Sequence, residues 1–250
     1  MVAMPLIDPT DPGTAEGAWT PWRESRPELR VEHWRHLIVV APHPDDEVLG
    51  VGGLIAHLRS ADLPVTLISV TDGEASHPGS PTHTPAELAG LRIEESANAA
   101  HELAIGAPMR LGMPDGRVAE QQAELTDLLT EVLAVLGGPG VRCAATWRHD
   151  GHPDHEAVGR ATAEACANTA TELLEYPVWM WHWGSPDHPR VAAANAFGLA
   201  LPSSAVAAKA RALAQHRSQI RPLSDHPADR PVLPPHVLHR FTTRDEVFFQ

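Results

Sequence analysis

Short, continuous apolar runs alternate with longer amphipathic segments through the middle of the chain. The first run, residues 37–41, is apolar at every position, which is typical of a strand buried on both faces of a parallel sheet. The strands predicted in this way are residues 37–41, 65–71, 109–113 and 143–147. The predicted helices between and after them are residues 48–60, 86–104, 121–136 and 154–169. This alternation predicts an α/β fold with a parallel sheet, which places ligands at the carboxyl ends of its strands.

The two ends of the chain are less regular. Residues 1–30 are rich in Pro, Gly, Asp and Glu, which predicts a loosely structured lead-in anchored by Trp19 and Trp22. We find no internal repeat or linker after it, so residues 31–250 are predicted to form a single domain. The remaining predictions are an aromatic β-like segment at 173–183, loops at 185–206, a helix at 207–219 and a terminal hairpin or strand pair at 236–249.

Composition and charge narrow the function classes. The 250 residues are 43% hydrophobic and 20% charged, a globular composition, and the formal net charge of −13 disfavours binding to nucleic acid or to anionic lipid. No apolar run approaches the ~20 residues of a membrane span, and residues 1–17 have neither a basic nor an apolar signal region. We therefore expect a cytoplasmic protein without integral membrane association. Cys143 and Cys166 are predicted to be buried thiols, and the sequence leaves the oligomeric state open.

A run of titratable residues, His43-Pro44-Asp45-Asp46-Glu47, directly follows the first predicted strand. Such a run at the end of a core strand is unfavourable unless the charged groups are paired. A turn leading into a helix brings His43 and Asp46, three residues apart, to one point, which is half of a divalent-metal site. Helix capping by one aspartate is the plainer alternative, but it accounts for only one carboxylate.

A second run, His152-Pro153-Asp154-His155, follows the strand at 143–147 and adds two imidazoles and a carboxylate. The two runs can be neighbours in a parallel sheet, and together they supply enough groups for a centre of two histidines and one carboxylate. Non-haem iron oxygenases use a similar set, but typically on a β-barrel. The spare carboxylate and histidine favour hydrolysis instead, with one group deprotonating water and another stabilising an oxyanion.

The chain resembles the LmbE-like, or PIG-L, family of zinc-dependent N-acetyl-sugar deacetylases. The resemblance spans about residues 37–220 and rests on APHPDDEVLGVGG at 41–53 and DGHPDHEAVGRA at 150–161. Weaker matches lie at 71–74, 92–95, 111–116, 209 and 216–219. The resemblance implies a Rossmann-like, mostly parallel sheet flanked by helices, with the metal at the C-terminal ends of the strands. It also implies removal of acetyl from an N-acetylglucosamine-type sugar or its glycoside.

The resemblance assigns roles to individual residues. It implies that His43, Asp46 and His155 bind Zn2+, although Fe2+, Co2+ or Mn2+ would also suit such a site. Asp45 would be the general base, and His152 a polarising or protonated imidazole facing the oxyanion. The remaining implied roles are Asp154 as a carboxylate that orients a histidine, and Arg92 and Asp115 as contacts to sugar hydroxyls.

Several of these positions have alternatives. Arg92 would otherwise be an exposed helix residue paired with Glu94 or Glu95, and Asp115 an ordinary turn residue. Asp150 stands where mycothiol-pathway members have a tyrosine, and it would orient His152. Three tryptophans with period-2 spacing, at 179, 181 and 183, either pack in the core or offer a platform to a sugar.

The function of the protein has two alternatives as well. One is a zinc amidase that acts on another amide, such as a thiol conjugate, and the other is a non-catalytic sugar-binding relative.

Overall fold

The computed structural model describes residues 10–250. The strands are β1 (His36–Ala41), β2 (Val65–Thr71), β3 (Met109–Met113), β4 (Val141–Thr146), β5 (Glu172–Tyr176), β6 (Ala196–Ala200) and β7 (Asp245–Phe249). The α-helices are α1 (Glu16–Glu24), α2 (Asp46–Ser60), α3 (Pro85–Glu102), α4 (Gln122–Leu136), α5 (Pro153–Thr169), α6 (Met180–Trp183), α7 (Pro189–Ala192), α8 (Ser203–Leu213), α9 (Arg217–Ile220) and α10 (Pro235–Leu238). Short 3-10 helices lie at Val118–Gln121, Pro227–Asp229 and His239–Phe241.

One sheet of seven strands, in the order β3-β2-β1-β4-β5-β7-β6, organises the fold. Strands β1 to β5 are parallel, and β7 is antiparallel to both β5 and β6. The chain builds outward from β1 through β2 to β3, then returns to the other side of β1 with β4. The strand order therefore reverses between β1 and β4, and an open α/β sheet has its binding crevice at such a reversal. The predicted mostly parallel α/β fold flanked by helices is confirmed.

Each face of the sheet has its own core, as the alternating side chains of β1 show. Ile38 and Val40 pack with α4 and α5, whereas Leu37 and Val39 pack with α2 and the tryptophans of α1. Because both faces are covered, β1 reads as a continuous apolar run rather than as an alternating one. Cys143 and Cys166 are buried free thiols, as predicted.

Glycine allows α2 to lie close against the sheet. A Cβ atom built on Gly50 would lie 2.1 Å from Cδ2 of Tyr176 on β5, a separation that side chains do not tolerate. Tyr176 in turn donates a hydrogen bond from its hydroxyl to Val40 O on β1 (3.0 Å). The start of α2, which carries the first titratable run, is thereby held over the ends of the central strands.

The predicted elements from 37 to 169 agree with the structure to within two residues, but the flanking predictions need correction. The lead-in contains helix α1, with Trp19 and Trp22 buried as expected, while residues 1–9 lie outside the described part. The aromatic segment is a strand only to Tyr176 and then turns into α6. The segment predicted as loops contains β6, and the predicted helix at 207–219 is two helices, α8 and α9. The terminal segment contains α10 and a single strand, β7, which pairs with β6 rather than within a hairpin of its own.

Candidate metal centre and its pocket

The carboxyl ends of the parallel strands supply the residues of one cavity of about 220 Å³. His43 follows β1, Ala75 follows β2, Asp115 follows β3 and His155 follows β4, and all of them line this cavity. Trp179 lines it from the segment after β5. The two titratable runs, separated by more than a hundred residues, meet because β1 and β4 are hydrogen-bonded neighbours.

Three buried side chains point one ligand atom each at a common centre. Asp46 Oδ2 lies 3.1 Å from His43 Nδ1 and 3.2 Å from His155 Nε2, and these two nitrogens are 3.3 Å apart. A tetrahedral zinc ion with bonds of about 2.0–2.1 Å would place its ligand atoms about 3.3 Å apart. The triangle of His43, Asp46 and His155 therefore fits a divalent cation.

A buried carboxylate fixes the orientation of His155. Asp150 Oδ2 lies 2.8 Å from His155 Nδ1, so a proton on Nδ1 leaves Nε2 free to act as a ligand. The same carboxylate accepts the backbone N–H groups of Val178, Trp179 and Met180. The expectation that Asp150 orients His152 is wrong, because its oxygens are engaged with His155 and with the segment after β5.

Two carboxylates contact the other nitrogen of His43. Asp115 Oδ1 lies 3.1 Å and Asp154 Oδ2 3.2 Å from His43 Nε2, which leaves Nδ1 facing Asp46. Asp154 is itself held by hydrogen bonds from the backbone N–H groups of Gly116 and Val118. Asp154 therefore contacts a histidine, as expected, and Asp115 is more than an ordinary turn residue.

The acidic neighbours favour positive charge at the centre. Burial lowers the pKa of His43, but its hydrogen bonds to Asp115, Asp154 and Asp46 outweigh this and raise it well above its usual range. Burial likewise lowers the pKa of His155, whereas the charge of Asp46 and the hydrogen bond to Asp150 raise it to about 9. Such a group of carboxylates is satisfied either by protonated imidazoles or by a bound cation.

Asp45 lies beside the triangle and has an unusual backbone. Its φ of 130° is a conformation that L-residues rarely adopt, and Arg92 Nη2 lies 3.4 Å from its Oδ2. Burial raises the pKa of Asp45, the charge of Arg92 lowers it, and the outcome is a pKa of about 7. Asp45 can therefore exchange a proton near neutral pH, as a general base must.

Arg92 is a buried residue rather than an exposed one. Its Nη1 donates to Gly73 O (3.0 Å) and its Nη2 to Pro44 O (2.7 Å), so it fastens the loop after β2 to the loop after β1. Glu95 is not its partner, because Glu95 accepts hydrogen bonds from the backbone and hydroxyl of Ser218. The alternative of an exposed Arg92 paired along α3 is wrong.

His152 is poised as a neutral donor. Its Nδ1 accepts the backbone N–H of Asp154 (3.2 Å), so in the neutral ring the proton lies on Nε2. Burial, together with the charges of His155 and His43, lowers its pKa to about 3. Of the two forms that the resemblance implies, this environment favours the neutral, polarising imidazole.

The far wall of the cavity comes from residues outside the two titratable runs. Leu49 and Trp179 contribute apolar surface, and Gln219, Val232 and Leu233 complete the wall. Of the three spaced tryptophans, only Trp179 lines the cavity, whereas Trp181 packs edge-on against Trp19 and Trp22. The segment 216–219 matches the family only weakly, and no local sequence pattern indicates a role for residues 232–233.

Among residues 10–250, no helix combines the length and the apolar character needed to cross a lipid bilayer.

Comparisons with known proteins agree with this geometry. The chain is 38% identical over 133 residues to a probable N-acetyl-alpha-D-glucosaminyl L-malate deacetylase 2 of Bacillus subtilis, covering 52% of this chain and 60% of that protein. It is 30% identical over 167 residues to a 1D-myo-inositol 2-acetamido-2-deoxy-alpha-D-glucopyranoside deacetylase of Nocardia farcinica, covering 58% and 56%. The chain thus spans less than two thirds of the length of these curated relatives.

A solved structure shares the fold at lower identity. The N,N'-diacetylchitobiose deacetylase of Pyrococcus horikoshii superposes with a TM-score of 0.58 at 21% identity, covering 84% of this chain and 82% of that one. The family model described as PIG-L, GlcNAc-PI de-N-acetylase, matches residues 38–166, about half of the chain and all of both titratable runs. The chain therefore belongs to the PIG-L family.

Proposed function

We propose that this chain is a metal-dependent hydrolase that removes the acetyl group from an N-acetylglucosamine-type sugar or its glycoside. The observation that carries the proposal is the triangle of ligand atoms, 3.1–3.3 Å apart, in a cavity also lined by Asp45 and His152. A cation site with a spare base and a spare N–H donor has the groups that amide hydrolysis requires. The names of the relatives, which are deacetylases of N-acetylglucosaminyl compounds, support the same reaction.

We assign the metal to His43, Asp46 and His155, with Zn2+ as the proposed ion. When bound, a divalent cation supplies Lewis acidity that activates water and polarises a carbonyl group. Asp150 orients His155 for this role, and Asp115 and Asp154 orient His43.

The residues beside the metal divide the proton transfers. Asp45 accepts a proton from the attacking water, and Arg92 holds its carboxylate toward the cavity. The Nε2–H group of His152 donates a hydrogen bond to the oxygen of the acetyl carbonyl as negative charge develops there. Asp45, now protonated, returns its proton to the leaving amine, and acetate and the free amino sugar result.

Arg92 and Asp115 are the proposed contacts to sugar hydroxyls, since both line the cavity. Asp115 is held in place by the backbone N–H of Ala75 (2.8 Å) and by His43. We add Trp179 as an apolar platform for the sugar ring, because its indole forms part of the opposite wall.

We place the reaction in the cytoplasm, where the thiols of Cys143 and Cys166, which form no disulfide, would remain reduced.

The test is release of acetate from a panel of N-acetylglucosamine compounds, before and after chelation and with zinc added back. We expect release that chelation abolishes and zinc restores. Asp45→Asn should keep the metal and lose about 100-fold or more in kcat, as expected for removal of a general base. Asp46→Asn is the matched control, because it changes the neighbouring aspartate in the same way but should lose the metal as well.

Two results would contradict the proposal. An Asp45→Asn variant that retains both metal and full turnover would exclude Asp45 as the base. A fully metal-loaded wild-type protein that releases no acetate from any compound in the panel would exclude these substrates and leave hydrolysis of another amide.

A further inference from the structure

A single hydrogen bond connects two energetically unfavourable features of the site. One is the backbone of Asp45, with its φ of 130°. The other is the side chain of Glu47, an acid that is only 1% exposed. The backbone N–H of Asp45 donates to Glu47 Oε2 over 3.1 Å.

The backbone of Asp45 is strained because of where the base must lie. Asp45 directly precedes α2, and its carbonyl oxygen accepts the N–H groups of Val48 and Leu49, each over 2.9 Å. The metal ligand Asp46 is the first residue of the helix, so the base and the ligand diverge from adjacent positions toward one centre. Non-glycine residues hold such a conformation only when their surroundings over-determine it.

Glu47 is an unusual residue to find buried at this position. An acid in the first turn of a helix is normally solvated and needs no burial. Within residues 10–250, Glu47 Oε1 has no hydrogen-bond partner, and the N–H of Asp45 is the backbone contact made by Oε2. A buried acid with so few partners weakens the fold, and the geometry that its hydrogen bond to Asp45 maintains explains its presence.

We propose that Glu47 is a positioning residue that holds the strained backbone of Asp45 and thereby keeps the base carboxylate directed into the cavity. Its partner in this task is Arg92, which fixes Pro44 O on the other side of the Asp45 peptide (2.7 Å). The inference rests on the proposed function of Asp45, but the geometry it explains exists independently of that function.

The experiment replaces Glu47 by Gln and by Met. Gln keeps an acceptor for the Asp45 N–H, whereas Met has similar length and no comparable acceptor. Glu246→Gln is the matched control: Glu246 is also a buried glutamate that accepts backbone N–H groups of α2, from Gly53 and Leu54, but at positions remote from the centre. Each variant is compared in kcat, KM, thermal midpoint, Co2+ binding by absorption spectroscopy, and crystal structure.

We expect Glu47→Met to lose about 10-fold or more in kcat, equivalent to about 1.4 kcal/mol, as the base leaves its productive position. Its KM and Co2+ affinity should stay within about two-fold of wild type, since substrate binding and the metal ligands are untouched. Glu47→Gln should restore most of kcat. Glu246→Gln should lower the thermal midpoint without lowering kcat.

The crystal structure separates this inference from the proposed function. In Glu47→Met, φ of Asp45 should leave the positive region, whatever the substrate proves to be. Retention of a φ near 130° in that variant, or a kcat equal to wild type, would overturn the proposal. Loss of Co2+ binding in step with kcat would assign Glu47 to metal retention instead and would overturn it too. If Glu47→Met does not fold, Glu47→Ala removes the same acceptor and takes its place.

Discussion

Asp150 joins the candidate metal centre to the segment after β5, and its replacement by Asn is the most informative single change. Its two oxygens accept four N–H groups: His155 Nδ1 and the backbone N–H groups of Val178, Trp179 and Met180. Asn has the same shape but only one acceptor oxygen. One pair of donors, either Val178 and Met180 or His155 and Trp179, would therefore face the NH2 group.

The magnitude follows from the count of lost bonds. Hydrogen bonds to a charged group contribute about 1.5–3 kcal/mol each, so losing two should lower the free energy of unfolding by about 3–6 kcal/mol. If the Asn NH2 group faces His155, the ring must accept at Nδ1, and its proton moves to Nε2, the proposed ligand atom. Changes in groups that orient a metal ligand typically weaken metal binding by about 10- to 100-fold.

Zinc affinity by chelator competition and stability by urea unfolding test both parts. Asp229→Asn is the control, because Asp229 is equally buried but binds the hydroxyl groups of Thr82 and Ser224. We expect the Asp229 variant to keep its zinc affinity. An Asp150→Asn protein with wild-type zinc affinity and wild-type stability would refute the role assigned to Asp150, because one of the two must fall in either orientation of the amide.

Three further predictions concern the rest of the molecule. His216 is fully buried, and burial lowers its pKa from 6.5 to about 3. The unfolded chain therefore binds its proton more readily, and stability is full above pH 6.5 and declines below it, by about 2 kcal/mol at pH 5 relative to pH 8. His216→Gln should remove this part of the pH dependence of urea unfolding, and an unchanged acid slope would contradict the assignment. Gly50→Ala should lower the free energy of unfolding by about 1–3 kcal/mol because the new methyl group would clash with Tyr176. Gly17→Ala is the control, because a Cβ atom there would have nothing within 4 Å and should not lower it. Equal urea midpoints for the two variants would contradict the close packing of α2. Chelation should lower the thermal midpoint and zinc should restore it, since a ligand at 100 times its Kd stabilises the folded state by about 2.7 kcal/mol; a midpoint insensitive to both would argue against a resident metal.

The parallel half of the sheet was predictable because its signals are local. The run at 37–41 needs no partner to be recognised as a doubly buried strand, and the short turn after it carries His43 and Asp46 to one point. A doubly wound parallel sheet can place β4 beside β1, so a meeting of the two titratable runs could be anticipated. The adjacency of the two strands itself is seen only in the structure.

The segment after β5 was not predictable, since its conformation depends on a distant group. The tryptophans at 179, 181 and 183 alternate as in a strand, but Asp150 captures three successive N–H groups there and turns the backbone into α6. The sequence pattern of residues 173–183 alone does not indicate such a contact. For the same reason Gln219 and Leu233 were missed as parts of the cavity wall, although Gln219 O accepts the N–H of Leu233 (2.9 Å) and couples them.

The family match ends at residue 166 and divides the residues that line the cavity into two groups. The proposed ligands, the proposed base and the proposed oxyanion donor all precede that boundary, whereas Trp179, Gln219 and Leu233 follow it. Substitutions in the later part can therefore change this wall of the cavity while the proposed hydrolytic groups, and the proposed sugar contacts Arg92 and Asp115, stay unchanged. Exchange of that later part between family members, with the contacts of Asp150 preserved, would accordingly measure how much of the substrate preference this wall determines.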